Sequence, residues 1–119
     1  MHELKVESSF SAAHHLLNYN GECENQHGHN WKVEVYAKGT KLDKSNLLID
    51  FKVLKKELNT VLDMLDHKDI NTLPEFDDVS PSSEILSKFI YEKLKRTIPC
   101  ISKVSVWETE RACASYYEE

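Results

Sequence analysis

The spacing of apolar residues changes period twice along this chain of 119 residues, and that change limits the folds it can adopt. Near both ends, apolar and polar residues alternate, as they do in strands that bury one face. In the middle, apolar residues recur at steps of three and four, which is typical of helices with one buried stripe. The predicted order of elements is therefore β-β-α-α-β-β.

Four alternating segments predict the strands. They cover residues 4–14, 31–37, 104–108 and 112–116. Since no strand-helix-strand alternation demands parallel pairing, they predict a four-stranded antiparallel sheet with both helices on one face, an α+β fold. The length fits one domain over residues 1–119, because a chain this short supports a single hydrophobic core.

Two helices are predicted between the strand pairs. The first begins near Asp50, includes Phe51 in its buried stripe and ends around residues 66–67. The second takes Ser80 as its N-cap and Pro81 as its first helical residue, since hydroxyl side chains and proline are favoured at those positions.

Composition narrows the partners and the compartment. The net charge of -5 at pH 7 argues against nucleic acid, whose phosphates are bound by clustered Lys and Arg. The first residues carry charge where a signal peptide needs an apolar core, and no apolar run approaches the roughly 20 residues of a membrane span. Three irregularly spaced cysteines do not indicate a disulfide framework. We therefore expect a cytoplasmic protein that binds neither nucleic acid nor membrane.

Three histidines predict a metal site. His27 and His29 share strand parity with Trp31, so both face the apolar side, where unpaired imidazoles are costly. His14, at the end of the preceding predicted strand, can bring a third imidazole to the same point. Three histidines without a fourth protein ligand leave a coordination position open, the pattern of catalytic Zn²⁺. Strand histidines that only form hydrogen bonds are the alternative.

Two neighbours of these histidines have competing interpretations. His15 competes with His14 as a ligand, but adjacent strand residues face opposite ways, so we expect His15 to be a solvated neighbour. Cys23 lies four residues before His27. Its thiol is a catalytic base activated by the metal, a small buried residue, or a fourth ligand that closes the site and makes it structural.

Acidic residues complete the set of candidates. Asp66 and His67 follow the first helical stripe, as ordinary helix-end polar residues or as a proton relay in which the carboxylate orients the imidazole. Glu108 shares parity with Val106, which places a carboxylate on the apolar side. It can accept two parallel hydrogen bonds from an amidine-like ring edge of a ligand, or pair with Arg111.

Five segments follow one another at defined intervals along nearly the whole chain. They are Phe10-Ser11-Ala12-Ala13-His14, Cys23 with His27-Gly28-His29, Leu65-Asp66-His67, Pro81-Ser82-Ser83-Glu84 and Val106-Trp107-Glu108-Thr109. Their order and spacing resemble the family of 6-pyruvoyltetrahydropterin and 6-carboxytetrahydropterin synthases. The resemblance implies the ββααββ tunnelling fold (T-fold), whose small subunits join their sheets into a barrel.

The resemblance also implies roles for the candidate residues. It makes His14, His27 and His29 the Zn²⁺ ligands and Glu108 the anchor of the pterin ring. The residues that move protons are then Cys23, Asp66 and His67. It further implies a homo-oligomer, with a hexamer favoured, in which neighbouring subunits share active sites.

The three-residue gap between Cys23 and His27 is similar to the carboxy-forming bacterial branch, because pyruvoyl-forming members typically have a longer gap. This branch converts 7,8-dihydroneopterin triphosphate to 6-carboxy-5,6,7,8-tetrahydropterin, acetaldehyde and triphosphate, on the route to queuosine. The alternatives are the pyruvoyl-forming reaction and a non-catalytic zinc-binding module. Two departures are His15, where bacterial members often carry Arg, and residues 116–119, which lack the glycine common near the family's terminus.

Overall fold

A computed structural model describes residues 1–19 and 24–119. Two long strands precede the helices and two shorter ones follow them, in the predicted order. The elements are β1 (His2–His14), β2 (His27–Gly39), α1 (Phe51–Leu62), β3 (Lys68–Asp69), α2 (Ser83–Thr97), β4 (Ile101–Thr109) and β5 (Ala112–Tyr116). Two 3₁₀ turns, Ile70–Thr72 and Pro74–Phe76, connect β3 to α2.

The strands form one sheet in the order β3-β1-β2-β4-β5. The four predicted strands pair antiparallel, as expected. The sheet differs from the prediction by a fifth strand, β3, which pairs parallel with β1 at Ala12 and Ala13. Two residues are too few to show an alternating pattern, so the sequence contains no signal for this strand.

Alternation along the strands separates the two faces of the sheet. Trp31, Val33 and Val35 of β2 are fully buried and pack with the apolar stripes of α1 and α2 in one hydrophobic cluster. Phe51, predicted for the stripe of α1, is instead 55% exposed, because the buried stripe of that helix begins at Leu54. In the described residues, neither helix combines the length and apolar character needed to cross a membrane.

Both helices differ from the predicted boundaries. The helix α1 ends at Leu62, and turns lead from there to His67. The helix α2 begins later than predicted, since Ser82 is its N-cap and its side chain accepts a hydrogen bond from the Ile85 amide. The Ser80 hydroxyl instead accepts a hydrogen bond from the amide of Leu17. Ser80 therefore fixes the segment that follows β1 rather than the helix.

Candidate metal centre

The pairing of β1 with β2 brings the three predicted histidines together. In the antiparallel register His14 lies opposite His27, and Ala12 lies opposite His29. Strand parity then directs all three side chains to the face that carries the helices, at the end of the sheet. One nitrogen from each ring and one oxygen of Glu108 lie within 4.8 Å of one another. These four donors form the metal-site cluster.

Backbone carbonyls orient two of the rings. His14 Nδ1 lies 2.8 Å from the carbonyl oxygen of Pro81, and His27 Nδ1 lies 2.9 Å from that of Asn25. Because a carbonyl only accepts, we infer that each Nδ1 carries the proton. In a neutral ring, Nε2 is then left with a lone pair directed into the cluster. Metal-binding histidines are commonly oriented by second partners of this kind.

The cluster fits a cation in its centre. With both Nδ1 atoms protonated, the Nε2 atoms of His14 and His27 present lone pairs to each other at 3.1 Å. Buried His29 Nε2 has no hydrogen-bond partner in the described residues, although Glu108 Oε1 is only 3.1 Å away, so that contact lacks hydrogen-bond direction. The ring nitrogens and the Glu108 carboxylate therefore point at one another with no proton between them. A metal ion such as Zn²⁺ stabilises an arrangement of this kind.

Burial supports the neutral, metal-binding form of His29. Desolvation lowers the pKa of His29, and the neighbouring His27 and His14 act in the same direction against the attraction of Glu108. The indole of Trp31 lies under the cluster, with ring centroids 4.8 Å from His14 and 5.0 Å from His29. Since Trp31 is fully buried, its indole ring excludes water from the apolar side of the metal-site cluster.

Glu108 reaches the cluster through an irregularity in β4. Trp107 pairs with Cys113 and Thr109 pairs with Ala112, so Glu108 is an extra residue without a partner on β5. Such bulges bend a strand and redirect a side chain, and they are common beside active sites. The ion-pair contacts of Glu108 in the described residues are with His14 and His29, and none is with Arg111.

Asp66 and His67 lie at the outer edge of β1 and outside the metal-site cluster. The Ser11 amide donates to Asp66 Oδ1 at 2.8 Å, and this hydrogen bond lowers the pKa of Asp66. Asp66 Oδ2 lies 3.0 Å from His67 Nδ1, so the carboxylate is placed to orient the ring. His67 has a φ of 58° and an 83% exposed side chain. A left-handed histidine is a strained conformation of the kind that clusters at functional sites.

Two other candidates have different outcomes. Cys23 lies outside the described residues, so its position relative to the cluster stays a prediction. His15 is half-buried rather than freely solvated, and its Nδ1 has no hydrogen-bond partner in the described part of the chain. The side chain of Asn71 holds the His15 backbone through the amide and the carbonyl, at 2.9 and 3.0 Å. This clamp fixes the end of β1 next to His14.

Glu34 is a buried carboxylate on the sheet face opposite the helices, and the sequence pattern does not predict its burial. Only 7% of this residue is exposed, and it accepts hydrogen bonds from Lys5 Nζ at 3.0 Å and from Trp107 Nε1. Trp107 precedes Glu108 in β4. Lys32 Nζ lies over the Trp107 ring, 4.7 Å from its centroid. The position of Glu34 in the alternation of β2 predicts a solvated side chain. Only its partners on the neighbouring strands, Lys5 and Trp107, reveal that it is buried.

Two cavities bear on the location of a ligand. A pocket of about 390 Å³ at the edge of β1 and β2 is lined by residues that include His29 and His67. A larger cavity of about 610 Å³ lies at the opposite end of the sheet, beside Lys38 and Cys100, and contains none of the predicted site residues. Because the smaller pocket is lined by His29 of the metal-site cluster, we regard that end of the sheet as the functional one.

A family model described as 6-pyruvoyl tetrahydropterin synthase matches residues 3–119. The chain belongs to the 6-pyruvoyl tetrahydropterin synthase family. Within this family, a 6-carboxy-5,6,7,8-tetrahydropterin synthase from Synechocystis sp. is 33% identical over 117 residues, which cover 93% of this chain and 89% of the relative. The 6-pyruvoyl tetrahydrobiopterin synthase of Homo sapiens is 32% identical over 127 residues, with 93% and 88% covered.

A solved structure of the 6-pyruvoyl tetrahydropterin synthase family has the same fold. The Caenorhabditis elegans 6-pyruvoyl tetrahydropterin synthase superposes with a TM-score of 0.84 at 27% identity, covering 98% of this chain and 95% of the other. The predicted ββααββ family fold is therefore confirmed, with β3 as an addition to the four expected strands.

Proposed function

We propose that this chain is a zinc-dependent 6-carboxy-5,6,7,8-tetrahydropterin synthase. It converts 7,8-dihydroneopterin triphosphate to 6-carboxytetrahydropterin, acetaldehyde and triphosphate, in queuosine biosynthesis. The observation that carries the proposal is the convergence of His14, His27 and His29 with Glu108 at one end of the sheet. The carboxy-forming branch is favoured by the three-residue gap between Cys23 and His27. The compartment is the cytoplasm.

In this mechanism, His14, His27 and His29 hold the metal through ring nitrogens. When bound, Zn²⁺ supplies a Lewis acid that stabilises negative charge developing on oxygens of the substrate side chain. The carbonyls of Pro81 and Asn25 keep two of the rings in their binding orientation. Trp31 excludes water from the apolar side of the metal-site cluster, and this exclusion strengthens electrostatic interactions at the site.

Glu108 positions the pterin ring. Its carboxylate accepts two parallel hydrogen bonds from the 2-amino and ring N–H groups, a directional contact that fixes the ring relative to the metal. Fixing the ring places the reacting side chain next to the groups that move protons, which lowers the entropic part of the barrier. The bulge in β4 directs the carboxylate toward this task.

Cys23 and the Asp66-His67 pair move the protons. A thiol next to a metal ionises readily, so Cys23 removes a proton from the substrate side chain at neutral pH. Asp66, held ionised by the Ser11 amide, orients His67 for the second transfer. His67 is exposed at the β1 edge, outside the metal-site cluster. We therefore assign it to the site of a neighbouring subunit in a homo-oligomeric, hexameric barrel.

Product identification tests the proposed reaction. The purified protein is incubated with 7,8-dihydroneopterin triphosphate, and the pterin product and acetaldehyde are quantified. Equal amounts of 6-carboxytetrahydropterin and acetaldehyde support the proposal. Triphosphate release with a pyruvoyl product and without acetaldehyde assigns the chain to the sister reaction. That second candidate is favoured by the human relative, whose identity of 32% is close to the 33% of the cyanobacterial one.

A chelator separates catalysis from a structural role of the metal. We expect metal removal to abolish turnover while the secondary structure, followed by circular dichroism, is retained. A closed site in which Cys23 is the fourth ligand predicts unfolding instead, because the free energy of metal binding then contributes to folding. Unfolding on chelation would identify the chain as a non-catalytic zinc-binding module.

A further inference from the structure

A cavity of about 610 Å³ lies at the end of the sheet opposite to the metal-site cluster. Its walls include residues of β2, β4 and the second half of α2, which hydrogen bonds hold together. The Lys38 amide of β2 donates to the Cys100 carbonyl just before β4. Lys95 Nζ of α2 donates to the carbonyls of Pro99 and Ile101. Binding sites for small molecules typically measure about 300–1,000 Å³, so this volume suits a molecule of nucleotide size.

Three lysines line the cavity, one from each of these elements. They are Lys38, Lys95 and Lys103. Among these three, and within the described ranges, only Lys38 forms an ion pair, with Glu3 at 3.7 Å. Lys103 Nζ lies over the ring of Tyr36, 4.2 Å from its centroid, and has no carboxylate partner in those ranges. Two of the three ammonium groups are therefore not neutralised by a carboxylate.

The acidic residues of the cavity already have partners. Glu3 is the ion-pair partner of Lys38, and Glu118 Oε2 accepts a hydrogen bond from the Tyr116 hydroxyl at 2.9 Å. The cavity thus retains unpaired positive charge in a chain whose net charge at pH 7 is -5. Lysine ammonium groups that lack a carboxylate partner are suited to phosphate oxygens, with which they form charge-assisted hydrogen bonds.

A buried hydroxyl in the wall also lacks a partner. Ser102 lines the cavity, and its Oγ is buried without a hydrogen bond in the described part of the chain. Tyr36 pairs with Lys103 and Ala37 pairs with Ile101, so Ser102 is a bulge residue without a partner on β2. An unpaired buried hydroxyl is costly, and a ligand oxygen that accepts its hydrogen bond removes this cost.

Two tyrosines add aromatic surface to the cavity. Tyr91 is almost fully buried, and its ring packs edge-on against Tyr116, which fixes its position. Tyr117 is 56% exposed, so one face of its ring is available to a ligand. Aromatic side chains of this kind pack favourably against planar rings.

We propose that this cavity is a second binding site, which takes a small molecule with phosphate groups on a planar ring system. The phosphates bind Lys95, Lys103 and the Ser102 hydroxyl, and the ring packs against Tyr117. The site shares no residue with the metal-site cluster. The inference goes beyond the proposed reaction and does not depend on it.

Equilibrium dialysis with ATP tests the site. Lys103→Gln removes a cavity ammonium, and Lys32→Gln is the matched control, because Lys32 also lies over an aromatic ring but lines a different pocket. We expect Lys103→Gln to weaken ATP binding by about tenfold or more, the effect of losing a hydrogen bond to a charged group. Lys32→Gln should leave the affinity nearly unchanged. Ser102→Ala, a smaller change, should weaken binding by about two- to tenfold.

Two fragments of ATP test the ligand class. Adenosine lacks the phosphates and tripolyphosphate lacks the ring, so each should bind at least about tenfold more weakly than ATP. Absence of ATP binding at millimolar concentration would overturn the site. Wild-type affinity in both Lys103→Gln and Ser102→Ala, or a greater loss in Lys32→Gln, would place ATP elsewhere and overturn it too. Adenosine that binds as tightly as ATP would overturn the role of the phosphates, and tripolyphosphate that does so would overturn the role of the ring.

Discussion

At the scale of single residues, Glu34 shows how a charge is accommodated on the polar face of the sheet. Burial acts to raise the pKa of Glu34. The hydrogen bonds from Lys5 and Trp107 and the charges of Lys5 and Lys32 outweigh burial, so the pKa is lowered. The ionised carboxylate therefore stabilises the fold, and it holds the Trp107 indole next to the bulge that carries Glu108.

This lowered pKa makes the contribution of Glu34 depend on pH. Since the folded pKa lies below the unfolded one, the stabilisation is present at neutral pH and is lost as the pH falls through about 4.3 and below. We predict that Glu34→Gln lowers the free energy of unfolding at pH 7 by about 1–2 kcal/mol, which is less than the roughly 1.5–3 kcal/mol of a hydrogen bond to a charged group because Lys5 is 45% exposed. The difference from wild type should shrink below about pH 4.

Urea unfolding at a series of pH values measures this difference. The exposed Glu7, changed to Gln, is the matched control, and it should alter stability little. A Glu34→Gln effect of constant size from pH 7 to pH 3 would show that the ionised form contributes nothing specific.

Strand parity made the metal-site histidines predictable, since it depends only on counting along β1 and β2. Parity also places Glu34 on the polar face, but it does not reveal that Lys5 and Trp107 cover it. The position of Glu108 depends on a bulge, and a bulge is defined by the residue count of the partner strand. The cover of Glu34 depends on strands distant in sequence, and the bulge depends on the register of the following strand β5, so the alternation of residues within one strand predicts neither feature.

At the scale of elements, three consecutive residues before α2 make contacts of three different kinds. Ser80 binds the Leu17 amide, Pro81 orients His14 through its carbonyl, and Ser82 caps the helix. The sequence predicts a cap in this segment because serine and proline favour it. The predicted cap, Ser80, is wrong, because the choice among the serines depends on contacts with the end of β1.

The capping assignment predicts a specific loss of stability. We expect Ser82→Ala to lower the free energy of unfolding by about 1 kcal/mol, because the Ile85 amide loses its hydrogen-bond acceptor. Ser83→Ala, one position into the helix, should be nearly neutral. Denaturant unfolding of the two variants compares them directly, and an equal loss in both would reject Ser82 as the cap.

At the scale of the whole molecule, the sheet has an edge available for assembly. In the described ranges, the outer edge of β1 pairs with β3 only at Ala12 and Ala13, which leaves most of this strand edge unpaired. Unpaired edges tend to be completed by another chain, and closing sheets into a barrel removes them. His67 lies at this same edge, which supports an active site shared between subunits.

Mixed oligomers test whether the site is shared. We expect Cys23→Ala and His67→Ala to be inactive alone, because each lacks one group that moves a proton. Unfolding and refolding a one-to-one mixture should restore activity toward about one quarter of wild type, as some sites then combine an intact cysteine with a neighbour's intact histidine. Activity that stays at the level of the single variants would place both residues in one subunit's own site.

A catalytic centre at this end of the sheet requires three imidazoles that bind one metal ion without help from the Cys23 sulfur. X-ray absorption at the zinc edge of the substrate-free protein tests this directly, because the two kinds of ligand differ in distance. We predict only nitrogen and oxygen neighbours at about 2.0–2.2 Å, with the multiple scattering of imidazole rings. A sulfur neighbour at about 2.3 Å would show that Cys23 closes the site, and it would contradict a catalytic centre.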